Sequence, residues 1–200
     1  MPSRITFGLS DLVRMLDGDN ILVIMVGYSA SGKSTVVERL NKEAHYSCVR
    51  WEDIVRAQQK KFRETGDLRW LHRLVTWLRM VKLAAGRVKR KPRVVIDWMN
   101  LGHAERDELV RIAERQGYSV VRVWMKTSVR TCRERWKRRN GFYPHPSYFK
   151  TMEIMLDEPD PTEGISLILS PSGRPYNYYL TVGGFDCPVR WDRDAFLPEG

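Results

Sequence analysis

The sequence predicts an α/β fold in which a parallel sheet carries helices on both faces. Three observations lead there. Apolar runs of strand length at 21–26, 94–97 and 119–125 alternate with segments of helical period, an order that needs crossover helices between parallel strands. The first run, Ile21-Leu22-Val23-Ile24-Met25-Val26, passes directly into Gly27-Tyr28-Ser29-Ala30-Ser31-Gly32-Lys33-Ser34, a complete G-x-x-x-x-G-K-S loop, and Thr35-Val36-Val37-Glu38-Arg39-Leu40 continues it as a helix. The second run ends in a carboxylate, Asp97. Strand, glycine-rich loop and helix in that order define a P-loop NTPase-like sheet, whose ligands lie beyond the carboxyl ends of the strands.

The remaining elements follow in order. Residues 9–17 read as a short helix capped by Ser10, with Leu12, Val13 and Leu16 inward. After strand 21–26 comes helix 33–43, and then a short strand over Tyr46-Ser47-Cys48-Val49-Arg50-Trp51. Residues 52–64 and 67–85 read as two helices separated at Gly66. In the second, Leu68, Leu71, Leu74, Val75, Leu78 and Val81 recur at helical spacing, with Arg69, Arg73 and Lys82 on the other face. A basic loop from Gly86 to Arg93, containing Pro92, leads into the strand at 94–97. A helix over 104–116 stops at Gly117, and the strand at 119–125 precedes a helix capped by Thr127 or Ser128 that runs to about Arg139. Residues 147–157 read as a helix, Ile165 to Leu169 as a strand, Ser172-Gly173 as a turn and Tyr176 to Val182 as the returning strand. The expected organisation is one domain over 1–200, with a core at 18–165 and a strand or hairpin extension over 166–200.

Composition narrows the functional classes. A hydrophobic fraction of 42% suits a folded protein, and no apolar run reaches membrane-spanning length. The N-terminal residues lack a signal-peptide core. Cys48, Cys132 and Cys187 lie far apart with no C-x-x-C pair, which argues against a disulfide framework or zinc and fits a cytoplasmic setting. The net charge of +10 is uneven: residues 49–93 hold fourteen Lys/Arg against four Asp/Glu, whereas residues 140–200 hold four against nine. A basic middle and an acidic tail suggest a polyanionic partner; the alternative is a solvated helix surface plus the cations any ATP site needs.

The chemistry concentrates around the loop. Its backbone N–H groups, from Gly27 through Ser29, Ala30, Ser31, Gly32, Lys33, Ser34 and Thr35, cradle a triphosphate, which the start of the helix favours by its partial positive charge. Lys33 reaches the β/γ-phosphates, and Ser34 together with Asp97 is placed to hold Mg²⁺, so ATP and Mg²⁺ are the expected cofactors. Asp53 lies just past the second strand, with Arg56 one helical turn on. A carboxylate there can accept the proton of an attacking hydroxyl, and an adjacent arginine can hold an acceptor phosphate; the other reading of Glu52 and Asp53 is helix-dipole stabilisation. Arg135 and Arg139 share one helix face ahead of Asn140-Gly141, as in an arginine-bearing lid that stabilises charge on a transferring phosphoryl group. The alternative is a basic surface helix with Val129, Cys132 and Trp136 inward.

The series GYSASGKST, W-E-D-I-V-R, VVIDWMNLGHAERDEL and RERWKRRNG resembles the bacteriophage polynucleotide 5′-kinases and related small P-loop kinases over about residues 20–165. The resemblance implies that Asp53 is the general base, that Arg56 contacts an acceptor phosphate and that Arg139 is the catalytic arginine of the lid. It also implies a substrate-side role for Asn100 in the D-x-x-N of Asp97 and Asn100, followed by Arg106. Where the phage kinases carry a carboxylate one place after Asp97, this chain has Trp98. No phosphatase D-x-D-G-T signature is present. The leading expectation is therefore an ATP-dependent kinase acting on a nucleic-acid hydroxyl, a 5′-OH end or a hydroxymethyl group on a modified base, with DNA favoured over RNA as partner. A small-molecule or nucleotide kinase is the second reading, and an NTP-gated nucleic-acid-binding module without transfer the third.

Overall fold

The computed structural model describes residues 6–62, 69–159, 166–171 and 177–183. The elements in chain order are β1 (Thr6–Gly8), α1 (Leu9–Met15), β2 (Ile21–Val26), α2 (Lys33–Ala44), β3 (Ser47–Arg50), α3 (Trp51–Phe62) and α4 (Arg69–Val88). They continue with β4 (Arg93–Asp97), α5 (His103–Glu114), β5 (Ser119–Met125), α6 (Val129–Asn140), α7 (Pro146–Met155), β6 (Ser166–Pro171) and β7 (Asn177–Gly183). One sheet runs in the order β1-β7-β6-β5-β2-β4-β3. The five strands β6-β5-β2-β4-β3 are parallel, as the strand–helix alternation requires. β7 turns back antiparallel on β6, and β1 pairs antiparallel with β7. The parallel strands form the sheet the sequence predicts, and β7 is the returning strand expected over Tyr176 to Val182.

Central β2 is buried at every position, the signature of a strand covered on both faces. Its alternation divides the core. Ile21, Val23 and Met25 pack with Val36, Val37 and Leu40 of α2 and Leu12 of α1. Leu22, Ile24 and Val26 pack with Met80, Ala84 and Val88 of α4 and Leu109 and Ala113 of α5. A third cluster, Leu101, Cys132, Phe149 and Met152, sits under α6 and α7 with Tyr28 of the loop against it.

Several expectations shift. Ser10 is exposed within the first turn of α1; the cap is Gly8, whose N–H is taken by Asp11 Oδ2 at 2.9 Å. The short β1 that precedes it carries no periodic signal at three residues. α4 buries a different face from the one read from its leucines. Thr76, Met80, Ala84 and Val88 form the inward i, i+4 row, while Leu78 is 57% exposed. Small Ala84 brings the helix close to the sheet, and the row that allows close approach wins over the row with more leucines. The helix also runs on through Gly86 to Val88, so the basic loop shortens to residues 89–92. Of the two candidate caps for α6, Ser128 accepts from Thr131 N at 3.2 Å. Gly66, Leu68 and Ser172-Gly173 lie outside the described residues, as do most of 166–200 and the side chains of Leu71 and Leu74. Among the described residues no helix is long and apolar enough to cross a membrane.

Candidate functional site

β2 delivers the chain to Gly27, whose N–H bonds Met99 O at 3.0 Å. Gly27 has φ +139°, and a Cβ there would stand 3.0 Å from Met125 O and 3.1 Å from Ser31 Oγ. Glycine is required both by conformation and by contact. Ala30 (φ 61°) and Gly32 (φ 111°) then turn the backbone through left-handed conformations into α2. Gly32 caps that helix without a side-chain hydrogen bond, and its first turn holds no acid. Its first amides have no acceptor within the helix, and the helix dipole adds to them. Ser31 Oγ is buried without a hydrogen-bond partner among the described residues. The cradle fits a phosphate chain in its geometry and in its open donors.

Lys33 is buried beneath the loop, and its Nζ donates to Gly27 O at 2.9 Å and Tyr28 O at 2.7 Å. Burial lowers its pKa to about 8, against the opposing pull of Asp97. Asp97, at the end of β4, is 4% exposed. Burial raises its pKa, while Lys33 and a hydrogen bond from the Ser34 hydroxyl work the other way. Ser34 and Asp97 thus meet as the sequence expects. Among the described residues no cluster of three acidic, histidine or cysteine side chains could hold a metal. A pair of oxygen ligands suits Mg²⁺, which keeps several waters and takes phosphate oxygens. Arg50, the register partner of Asp97, places its Nε 3.9 Å from that carboxylate.

On the β3 side lies a groove of about 800 Å³ between α3, α4 and the edge of the sheet. Asp53 lines it as the one acid among Arg50, Arg79, Lys82, Arg87, Arg90 and Lys91. Arg56 pairs with Asp53 at 3.9 Å and lies outside the lining, with both side chains largely in solvent.

On the opposite side stands α6. Arg135 donates to Ser31 O at 2.9 Å, and buried Thr127 donates to the same carbonyl at 3.0 Å. Arg139 is exposed, with its guanidinium 5.3 Å over the Trp136 ring, yet near enough to act on the charge of Lys33. The two lid arginines therefore hold different positions: Arg135 grips the loop and Arg139 stands off it.

Asn100 is fully buried at φ 46°, with Nδ2 donating to Met25 O at 2.7 Å. Nδ2 thereby ties the exit of β4 to β2, while Oδ1 is buried without a hydrogen-bond partner among the described residues. Buried Arg106 holds the same turn through Asn100 O at 3.2 Å and Leu101 O at 2.9 Å. Sequence reasoning missed Tyr148, whose hydroxyl meets Ser29 Oγ at 2.9 Å across 119 positions of chain, a separation no local motif encodes. The loop role of Thr127 was likewise hidden behind its plausibility as a cap.

A glycine-rich loop at a strand–helix junction, a buried lysine and a strand-end carboxylate beside a helix serine define a P-loop nucleotide-binding domain. The profile of a family described as an AAA domain matches residues 22–156, and the chain belongs to that family. Among solved structures it is similar to a gluconokinase from Sinorhizobium meliloti, at 22% identity and a TM-score of 0.55, covering 80% of this chain and 86% of that one. It is similar also to a sugar kinase from Janibacter sp., at 20% identity and a TM-score of 0.52 over 75% and 83% of the two chains. A Mycobacterium tuberculosis APS kinase in complex with AMPPNP and APS matches at 18% identity and a TM-score of 0.51 over 77% and 90%. At these identities the likeness is one of fold. No curated protein matches the sequence.

Proposed function

We propose that this protein is an ATP-dependent phosphotransferase that phosphorylates a hydroxyl of a small anionic acceptor. The observation that carries the reading is the placement of Asp53 in a groove whose described lining combines six cations with apolar side chains, beside a complete phosphate loop. ATP would lie along Gly27–Thr35 with Lys33 on its terminal phosphates, and Ser34 and Asp97 would hold Mg²⁺, which supplies charge neutralisation there. Asp53 takes the proton of the acceptor hydroxyl as the new oxygen–phosphorus bond forms and ADP leaves. Arg139, swung in from Trp136, stabilises charge on the phosphoryl oxygens. The kinases of similar fold named above act on small acceptors, which supports this reading over a nucleic-acid kinase. A strand of DNA or RNA remains the second reading, favoured by the run of the cationic groove from Asp53 to Lys91.

The test is γ-labelled ATP offered with sugar acids, sugar phosphates, nucleosides, nucleotides and 5′-OH or hydroxymethyl-base oligonucleotides. Label should pass to a small anionic acceptor and be lost with Asp53→Asn, while nucleotide affinity stays. Transfer to oligonucleotides alone would hand the assignment to the second reading, and ATP binding without any transfer would refute both.

A further inference from the structure

Trp51 and Trp98 stand where the chemistry converges, and neither has a part in the steps above. Trp51 follows the last residue of β3, and Trp98 follows Asp97 at the end of β4. Arg50 and Asp97 are register partners, so the chain leaves both strands at the same level, into α3 at Trp51 and into the turn at Trp98. Their ring centroids are 3.7 Å apart at an interplanar angle of 22°. Each ring belongs to the residue that follows one member of the Arg50–Asp97 ion pair, and Asp53 lies two residues beyond Trp51. Both rings pack against the core on the α4 and α5 side, yet both keep exposed surface at the ligand-bearing end of the sheet.

The pair is held rigidly. Trp98 O accepts from Asn100 Nδ2 at 3.4 Å, and Asn100 is itself tied to Met25 and Arg106. A rigid, part-exposed ring stack at the carboxyl ends of two strands is preorganised to receive another planar ring. The neighbouring groove adds the second criterion. Its described lining offers six cations and apolar side chains beside the carboxylate of Asp53. Cations beside an aromatic wall match a phosphate joined to a base.

We propose that Trp51 and Trp98 form the ring-binding wall of the acceptor site and that the acceptor carries a nucleobase, free as a nucleotide or at the end of a strand. This rests on the reading that the acceptor enters on the Asp53 side. It narrows the small anionic acceptor to a base-bearing one.

The test reads binding apart from turnover. With the phosphate loop filled by AMPPNP and Mg²⁺, the common nucleoside 5′-monophosphates, a short single strand and base-free ribose 5-phosphate are each titrated against the intrinsic tryptophan fluorescence. At least one base-bearing probe should quench it and ribose 5-phosphate should not. Trp98→Leu should weaken that binding about tenfold or more, the factor set by one lost base stack, with AMPPNP affinity unchanged. Trp98→Phe should restore most of it, and near-wild-type thermal unfolding of Trp98→Phe shows that the comparison is made on a folded chain. A stronger response to the monophosphate than to the strand identifies the free nucleotide as source, and the reverse identifies the strand; either supports the wall. Absence of quenching by every base-bearing probe overturns the proposal. So does an equal loss of AMPPNP affinity in Trp98→Leu, which would make the stack structural. Labelled transfer to a sugar acid with nucleotides inert would overturn this inference while leaving the phosphotransferase standing.

Discussion

Lys33 carries two demands that pull its proton in opposite directions. Burial beneath the loop favours the neutral amine and sets its pKa near 8, whereas a triphosphate at Nζ favours the ammonium. Binding therefore raises the lysine pKa, and linkage fixes the sign. Affinity for Mg²⁺·AMPPNP is fully present below pH 8 and falls as pH rises through 8 toward the higher bound value, approaching about tenfold per pH unit. Calorimetry from about pH 7 to about pH 9 should show this fall together with proton uptake, and Lys33→Arg, charged throughout, should flatten it. A flat wild-type profile would mean that Lys33 does not meet the phosphates. The arginines of α6, which spacing puts on one face and the resemblance ranks with Arg139 as the catalytic one, hold different partners. Arg135 holds the Ser31 carbonyl, so Arg135→Ala should weaken nucleotide binding and turnover together. Arg139 rests on Trp136, so Arg139→Ala should lower kcat by roughly a hundredfold or more with little change in nucleotide Kd. Pre-steady-state turnover alongside equilibrium binding separates the two patterns; identical behaviour of the two variants would erase the distinction.

At the scale of elements, what was legible and what was not follows from the range of the forces. The strand at 21–26, the loop and α2 are set by local pattern and fixed backbone chemistry, and they stand where the sequence puts them. So do the strand-end placements of Asp97 and of Asp53, because the carboxyl ends of parallel strands share one side of the sheet. The inward face of α4 is a tertiary decision. Leu78 and Val81 satisfy helical period as well as Met80 and Ala84 do, and only contact with the sheet chooses between the rows. The choice has a measurable consequence. Met80→Ala, at a fully buried site, should destabilise the protein by about 2–5 kcal/mol, while Leu78→Ala should stay within about 0.5 kcal/mol of wild type in urea unfolding. Comparable losses from both would return α4 to the phase its leucines suggest. Asn100 shows what a motif position leaves out: a buried turn with positive φ takes its Nδ2 for a backbone tie, while its Oδ1 is buried without a partner among the described residues.

At the scale of the whole molecule, six cations from the basic middle of the sequence line one feature, the groove along the β3 edge. α4 advances about 1.5 Å per residue, so its lining from Arg79 to Arg87 spans roughly 12 Å before Arg90 and Lys91 extend it, longer than one phosphate requires. That length is what separates the two acceptor readings, and salt measures it. A strand laid from Asp53 to Lys91 would neutralise several phosphates and release their counterions. The logarithm of its KM would then rise with the logarithm of salt concentration by about 0.7 for each phosphate contacted. A small anion seated near Asp53 and Arg50 would show a much shallower rise, because it meets few cations. Charge reversal at Arg87, Arg90 and Lys91, far along the groove from Asp53, should lower the slope for an oligonucleotide acceptor and leave a mononucleotide nearly untouched. If slopes for the two acceptors coincide in wild type and in the reversal variant, the distal cations touch neither, and the groove serves a small acceptor at its Asp53 end alone.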